Sequence, residues 1–401
     1  MIIKKCILQG PGNFFGPFIG RALLLTLTFI MACSNISAER KIEAKADPYW
    51  NEISMFLAGI PVGKESRLWP KTQTGYYKGH MTSMDDFWKR VKQDTMDIIG
   101  PWRKINIPAG IEKNGAFYPL SGADFVNLYS LFPDAARYLM VALEDPGDIP
   151  DPLALDERSL DSGLSSIRKS THLYGKINYF QTRVMIKEMR NLNIKGVTPI
   201  LLIFLSRMGL TVLNVQKIGI GDDGRTAELD STGNLGGKKP KFPGVLITFR
   251  GQGDQRPREL IYLSMRLEKE TVDPVSPTGK FFSGYLSNVS TIIKAGCYIF
   301  FIDKFKEVKD FILSRSSFII QDDSGIPYSA FKTEQWNMKF YGVYIPQYPI
   351  TDAVIYKQED LMKCYKGGGL PLPFNFGYGS LLGRDKSNLM TAEKKGVKQG
   401  G

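Results

Sequence analysis

Residues 116–145, AFYPLSGADFVNLYSLFPDAARYLMVALED, carry the pattern from which the fold is read. The short apolar run AFYPL ends at Ser121-Gly122, and ADFVNLYSLF then places Phe125, Leu128, Tyr129 and Phe132 on one side of a helix. RYLMVA is apolar again before the acids Glu144 and Asp145. Two short apolar runs flanking a helical period predict strand, helix and strand within about 30 residues, a βαβ unit.

Downstream of that unit, Glu144 to Asp161 hold seven acids, three prolines and one arginine, and are expected to form an exposed connection. Helical segments are expected near 157–173 and 178–192, and Thr198-Pro199 opens an apolar helix that Gly209 stops. Short β-like runs follow at Leu210–Ile220, Arg225–Leu229, Gly244–Arg250 and Glu259–Leu267, each separated by Gly-rich turns. Their spacing predicts antiparallel strands near 210–267. Residues 281–302 are apolar and fit either helix or strand, SSFIIQDD reads as a strand, and Phe340–Ile345 as another. Upstream, Asp47-Pro48 marks a helix start, because proline needs no N–H partner in the first turn. Residues 83–99 form an amphipathic pattern with Ser83 and Asp86 as a capping box. The expected fold class is α/β or α+β: a mixed sheet with helices packed on it, in one domain over 47–380. The Lys- and Gly-rich residues 381–401 are expected to be a basic flexible tail.

The chain has 401 residues, of which 43% are hydrophobic and 23% charged, with 52 Lys and Arg against 40 Asp and Glu, a formal net charge of +12. Those proportions are globular and exclude a disordered or collagen-like chain. The first 38 residues contain no acid; Lys4, Lys5 and Arg21 precede the eleven-residue apolar run Ala22–Ala32. That order is a secretory signal, and the run is too short for a permanent membrane span. Its end, Ile30-Met31-Ala32-Cys33, resembles a bacterial lipobox, with Met31 departing from the usual small or aliphatic residue. The resemblance implies a signal peptide over 1–32, acylation of Cys33 and a polar tether over 33–46. It places the protein in the cell envelope on a membrane, with the outer membrane favoured because no Asp follows the cysteine. The alternative is an ordinary cleaved signal ending near Ala38. Losing the three early charges leaves the mature chain at +9, which suits anionic lipid head groups or an acidic glycan; nucleic acid is not an expected partner of an exported chain. In an oxidising compartment Cys297 and Cys364 form an even pair, so a disulfide between them is possible, as is a buried thiol at Cys297.

Two histidines, His80 and His172, exclude a histidine-rich metal site, and no zincin, CxxC, G-x-S-x-G or P-loop motif occurs. No cofactor or metal is therefore expected. Ser121, Gly122 and Asp124 are the first candidate ligand-binding group, because a strand ending in a Gly turn before a helix points backbone N–H groups at a crevice. Glu144 lies 22 residues after Gly122, where nucleotide-binding folds place the acid that holds a ribose. This resembles a nucleotide-binding or methyltransferase-like α/β fold with one glycine where the fingerprint has three. Ser121 with Asp124 also fits a capping box. Asp322 and Asp323 are the second candidate, a pair of strand-end carboxylates, for which turn chemistry is the competing reading. The segments FYPLSGADF and QDDSGIPY together resemble an uncharacterised family of bacterial proteins, a resemblance that implies no activity. The basic residues Lys238, Lys239, Lys241, Arg250, Arg256 and Arg258 could meet phosphate groups. Two functions follow: a membrane-tethered binding or scaffolding domain, or an enzyme with a degenerate Rossmann-like crevice.

Overall fold

A computed structural model of the protein describes residues 47–177, 194–251, 253–346 and 356–396. The expected signal peptide, Cys33, the tether and the helix near 178–192 lie outside the described residues. The fold is α/β, built on a ten-stranded sheet of order β4-β3-β5-β6-β2-β1-β7-β8-β10-β9. The unit read from 116–145 is present: β1 (Ala116–Pro119), a helix over Phe125–Leu131, and β2 (Arg137–Ala142) parallel to β1. β6 (Arg258–Ser264) pairs parallel with β2, β7 (Val289–Ile293) parallel with β1, and β8 (Ser316–Gln321) parallel with β7. The chain thus leaves β1 for strands on one side and later returns to its other side, which makes the β1/β7 boundary a topological switch point.

These central strands are apolar at nearly every position because both faces of the sheet are covered. In β2, Tyr138 and Met140 enter one core with the helices of the first 210 residues, while Leu139 and Val141 enter a second core. That second core is closed by helices Pro277–Tyr285, Lys306–Arg315 and Glu359–Lys366. Antiparallel strands extend one edge, as expected near 210–267: β3 (Thr211–Ile220) pairs with β4 (Thr226–Glu228) and with β5 (Gly244–Arg250), and β5 pairs with β6. The ambiguous 281–302 segment divides between the end of a helix and β7.

Two expectations are corrected. Residues 381–401 are not simply a flexible tail, since Asn388–Lys394 is β10, an inner strand antiparallel to both β8 and β9 (Trp336–Gly342). The lysines that bias this composition flank a buried core of Leu389, Met390 and Ala392. The helix expected from Ser83 begins at Gly75, because Tyr77 and His80 extend the buried stripe of Met84 and Phe87 by two turns. It continues through a π-helical turn at Lys92–Met96 into a helix over Asp97–Asn106. The helix at Pro48–Leu57 has the expected cap, with Tyr49 N–H donating to Asp47. Among the described residues no helix is long and apolar enough to cross a membrane.

Candidate functional site

The carboxyl ends of β1, β7 and β8 converge on a polar cluster inside the molecule. Asp124, which follows the β1 turn, accepts hydrogen bonds from Tyr118 and Tyr174 hydroxyls, from the Asn127 side chain and from Lys294. Lys294 Nζ lies 2.8 Å from Asp124 Oδ2, and the residues are 2% and 1% exposed. Burial pulls the Lys294 ammonium below its ordinary range, and Asp124 and then Asp322 oppose that shift. Tyr118 and Tyr174 are pushed well above the usual phenol range by burial and by the Asp124 charge. Asp322 is raised to about 7, first by burial and then by the neighbouring Asp323.

The two adjacent acids face different partners. Asp322 accepts from Ser324 Oγ at 2.6 Å, from Tyr378 N–H at 3.0 Å and from Ala295 N–H at 3.4 Å. Asp323 accepts from the Tyr298 hydroxyl at 2.5 Å and from Asn388 Nδ2 at 2.8 Å. Both are buried and tie the end of β8 to loops and to β10. Ser121 does not cap the following helix: its Oγ donates to the Gly122 and Val141 carbonyls, and Asp124 is the N-cap. The Ser121 N–H is likewise bound, to Val141 O at 3.0 Å, which turns it away from any anion. The switch-point crevice is therefore filled by the protein's own side chains.

Glu144 stands elsewhere. It follows β2 beside a cleft of about 640 Å³ at the carboxyl end of β2, bounded by Lys217 of β3, by Leu229 and by the start of β5. The residue is 3% exposed, yet neither carboxylate oxygen has a hydrogen-bond partner among the described residues. Buried carboxylates are normally fully paired, since desolvation without compensation is costly. Its backbone is well held: the Tyr262 hydroxyl donates to Glu144 O at 2.8 Å. The next turns are clamped to the helix Thr198–Arg207, with Val197 N–H on Asp145 O and Thr198 N–H on Pro146 O. Gly147 and Gly196 make this closeness possible, because a Cβ on either would collide with backbone of the other's turn. Asp145 accepts from Gly147 N–H at 2.6 Å, and Asp148 pairs with Lys217 at 2.7 Å. Lys195 and Lys239 complete the charged rim.

Lys294 thus binds Asp124 and feels the charge of Asp322, whereas Glu144, which shares no hydrogen bond or ion pair with them, lines a cleft that none of the three enters. Sequence reasoning missed Lys294, although it is the one charge in the stretch Leu286–Ile302. A lone lysine after an apolar strand is a usable signal for a buried pair. Sequence reasoning also missed Lys195 and Lys217, whose roles depend on distant loops. The possible Cys297–Cys364 disulfide is not formed: both thiols are free. Cys297 sits on an exposed left-handed turn, 2.9 Å from the Tyr378 hydroxyl, and Cys364 lies in the helix Glu359–Lys366. Arg256 and Arg258 both engage Asp254, whereas Lys238, Lys239 and Lys241 remain exposed. His80 is buried, with Nε2 2.9 Å from Leu57 O. Among the described residues no three His, Cys, Asp or Glu side chains gather as a metal site. No protein-family model, curated protein or solved structure matches this chain.

Proposed function

We propose that this chain is a membrane-tethered cell-envelope domain that binds a small polar ligand at Glu144 and does not catalyse a reaction at the switch point. The observation that carries the binding reading is that Glu144, a residue lining an open cleft, has a buried carboxyl group whose two oxygens lack protein partners. Pockets of this size commonly hold small ligands with a few fixed polar groups. The tether rests on the lipobox-like run ending at Cys33, with acyl chains as the membrane partner and the outer membrane as the favoured destination.

Native mass spectrometry of the full chain from native membranes tests both parts. A diacyl or triacyl mass on Cys33, lost in Cys33→Ala, and a small molecule retained by wild type but lost in Glu144→Ala are the expected results. An unmodified terminus near Ala38 removes the tether, and identical small-molecule content in wild type and Glu144→Ala removes the cleft.

The parallel centre of the open mixed sheet, with its switch beside β1, and an acid just beyond β2 favour a second reading as an enzyme with a degenerate nucleotide-binding crevice. Such an enzyme needs Lys294 or Asp322 to reach solvent. Acetylation of Lys294 in the native protein at the rate of exposed lysines would favour it over the binding reading.

A further inference from the structure

We propose that the Glu144 cleft takes a phosphorylated polyol, with adjacent hydroxyls turned inward to Glu144 and the phosphate turned outward to Lys195 and Lys239. This inference rests on the cleft being the binding site.

The charges around the cleft are not equivalent. Asp145 is committed to the Gly147 N–H, and Asp148 and Lys217 neutralise one another. What remains is the Glu144 carboxyl group inside and, on the exposed rim, Asp145 with Lys195 and Lys239, an excess of one positive charge. The two unpartnered oxygens of Glu144 call for paired donors, which adjacent hydroxyls supply. A cationic ligand could supply donors too, but the lysines lining the entrance repel it and attract an anion. A neutral donor end and an anionic end on one molecule satisfy both ends of the cleft. Apolar surface from Leu143 and Leu229 offers contact for the C–H face of a sugar ring.

The phosphate can belong to a free sugar phosphate or to a lipid head group. Calorimetric titration of the full chain in detergent with ribose 5-phosphate, ribose and inorganic phosphate tests the shared chemistry, and flotation with phosphatidylinositol vesicles tests the lipid source. Binding of ribose 5-phosphate, or of the vesicles, roughly ten- to hundred-fold tighter than ribose or phosphate alone is expected, the size of a lost charge-assisted contact. Lys195→Ala with Lys239→Ala, both exposed, should reduce it to the ribose level, and Glu144→Gln should weaken it with the fold intact by circular dichroism. Ribose 5-phosphate alone marks a free ligand and vesicles alone a lipid. Glu144-dependent binding of an amine such as agmatine, with no response to either phosphorylated probe, overturns the ligand class but leaves the cleft. Phosphorylated-probe binding that ignores Glu144 and both lysines overturns the site.

Discussion

Lys294, at the end of β7, and Asp124, after β1, form a fully buried ion pair that joins the two sides of the sheet's switch point. Asp124 also receives two tyrosine hydroxyls and an asparagine, so its lone pairs are saturated by protein donors. Such a cluster holds a crevice shut: opening it would expose a charge pair only by breaking several hydrogen bonds at once.

Removing one partner leaves an uncompensated buried charge. Lys294→Ala should therefore cost about 3–5 kcal/mol in urea unfolding, whereas Lys294→Met combined with Asp124→Asn should cost less than the sum of its single substitutions. Strict additivity would show that the two residues are not energetically coupled.

Stability should carry two opposed pH dependences between about pH 4 and 7. Burial holds folded His80 at about 4 against 6.5 for an ordinary histidine, and its Nε2 must carry the proton to donate to Leu57 O. As pH falls through 6.5 the unfolded chain gains a proton that the folded one refuses, so stability drops by on the order of 3 kcal/mol by pH 4. Asp322 runs the other way: the folded protein binds its proton below about 7, and the unfolded chain only near the ordinary carboxyl value. Its contribution is present at low pH and lost as pH rises through 7. Chemical denaturation of His80→Phe should show stability rising on acidification across this window, and Asp322→Asn should show it falling more steeply than wild type. Parallel curves for the two variants would contradict both assignments.

Gly147→Ala should misplace the cleft wall. Its backbone is left-handed at φ 76°, and the added methyl meets the Lys195 carbonyl, so a loss of about 2 kcal/mol or more is expected by thermal unfolding. Gly253→Ala, also left-handed at φ 78° but facing open space, controls for backbone strain alone and should cost less.

Ending the chain at Ser387 deletes β10, the strand that pairs with β8 on one side and β9 on the other. The truncated protein should fail to give a cooperative unfolding transition, because two inner strand edges and the apolar residues of β10 are lost together. A cooperative melt close to that of the full chain would place the last strand outside the folding unit.

The amino-acid sequence by itself determined the local elements of this protein. The 116–145 unit, the antiparallel run near 210–267 and the helix at Pro48 follow from hydrophobic period, turn residues and caps, all of which act within a few residues. It also singled out Asp124, Glu144, Asp322 and Asp323, because acids after apolar strands stand out against their neighbours. Tertiary structure alone decided what those acids do. Asp124 was neutralised by a lysine 170 residues away, Asp322 and Asp323 were claimed by loops and by β10, and Glu144 was left unpaired in a cleft. The place of β10 was likewise set by pairing with β8 and β9, which no local composition of a lysine-rich terminus announces. The physical reason is common to all of these: a buried charge or an inner strand is defined by partners brought together only when the whole sheet assembles.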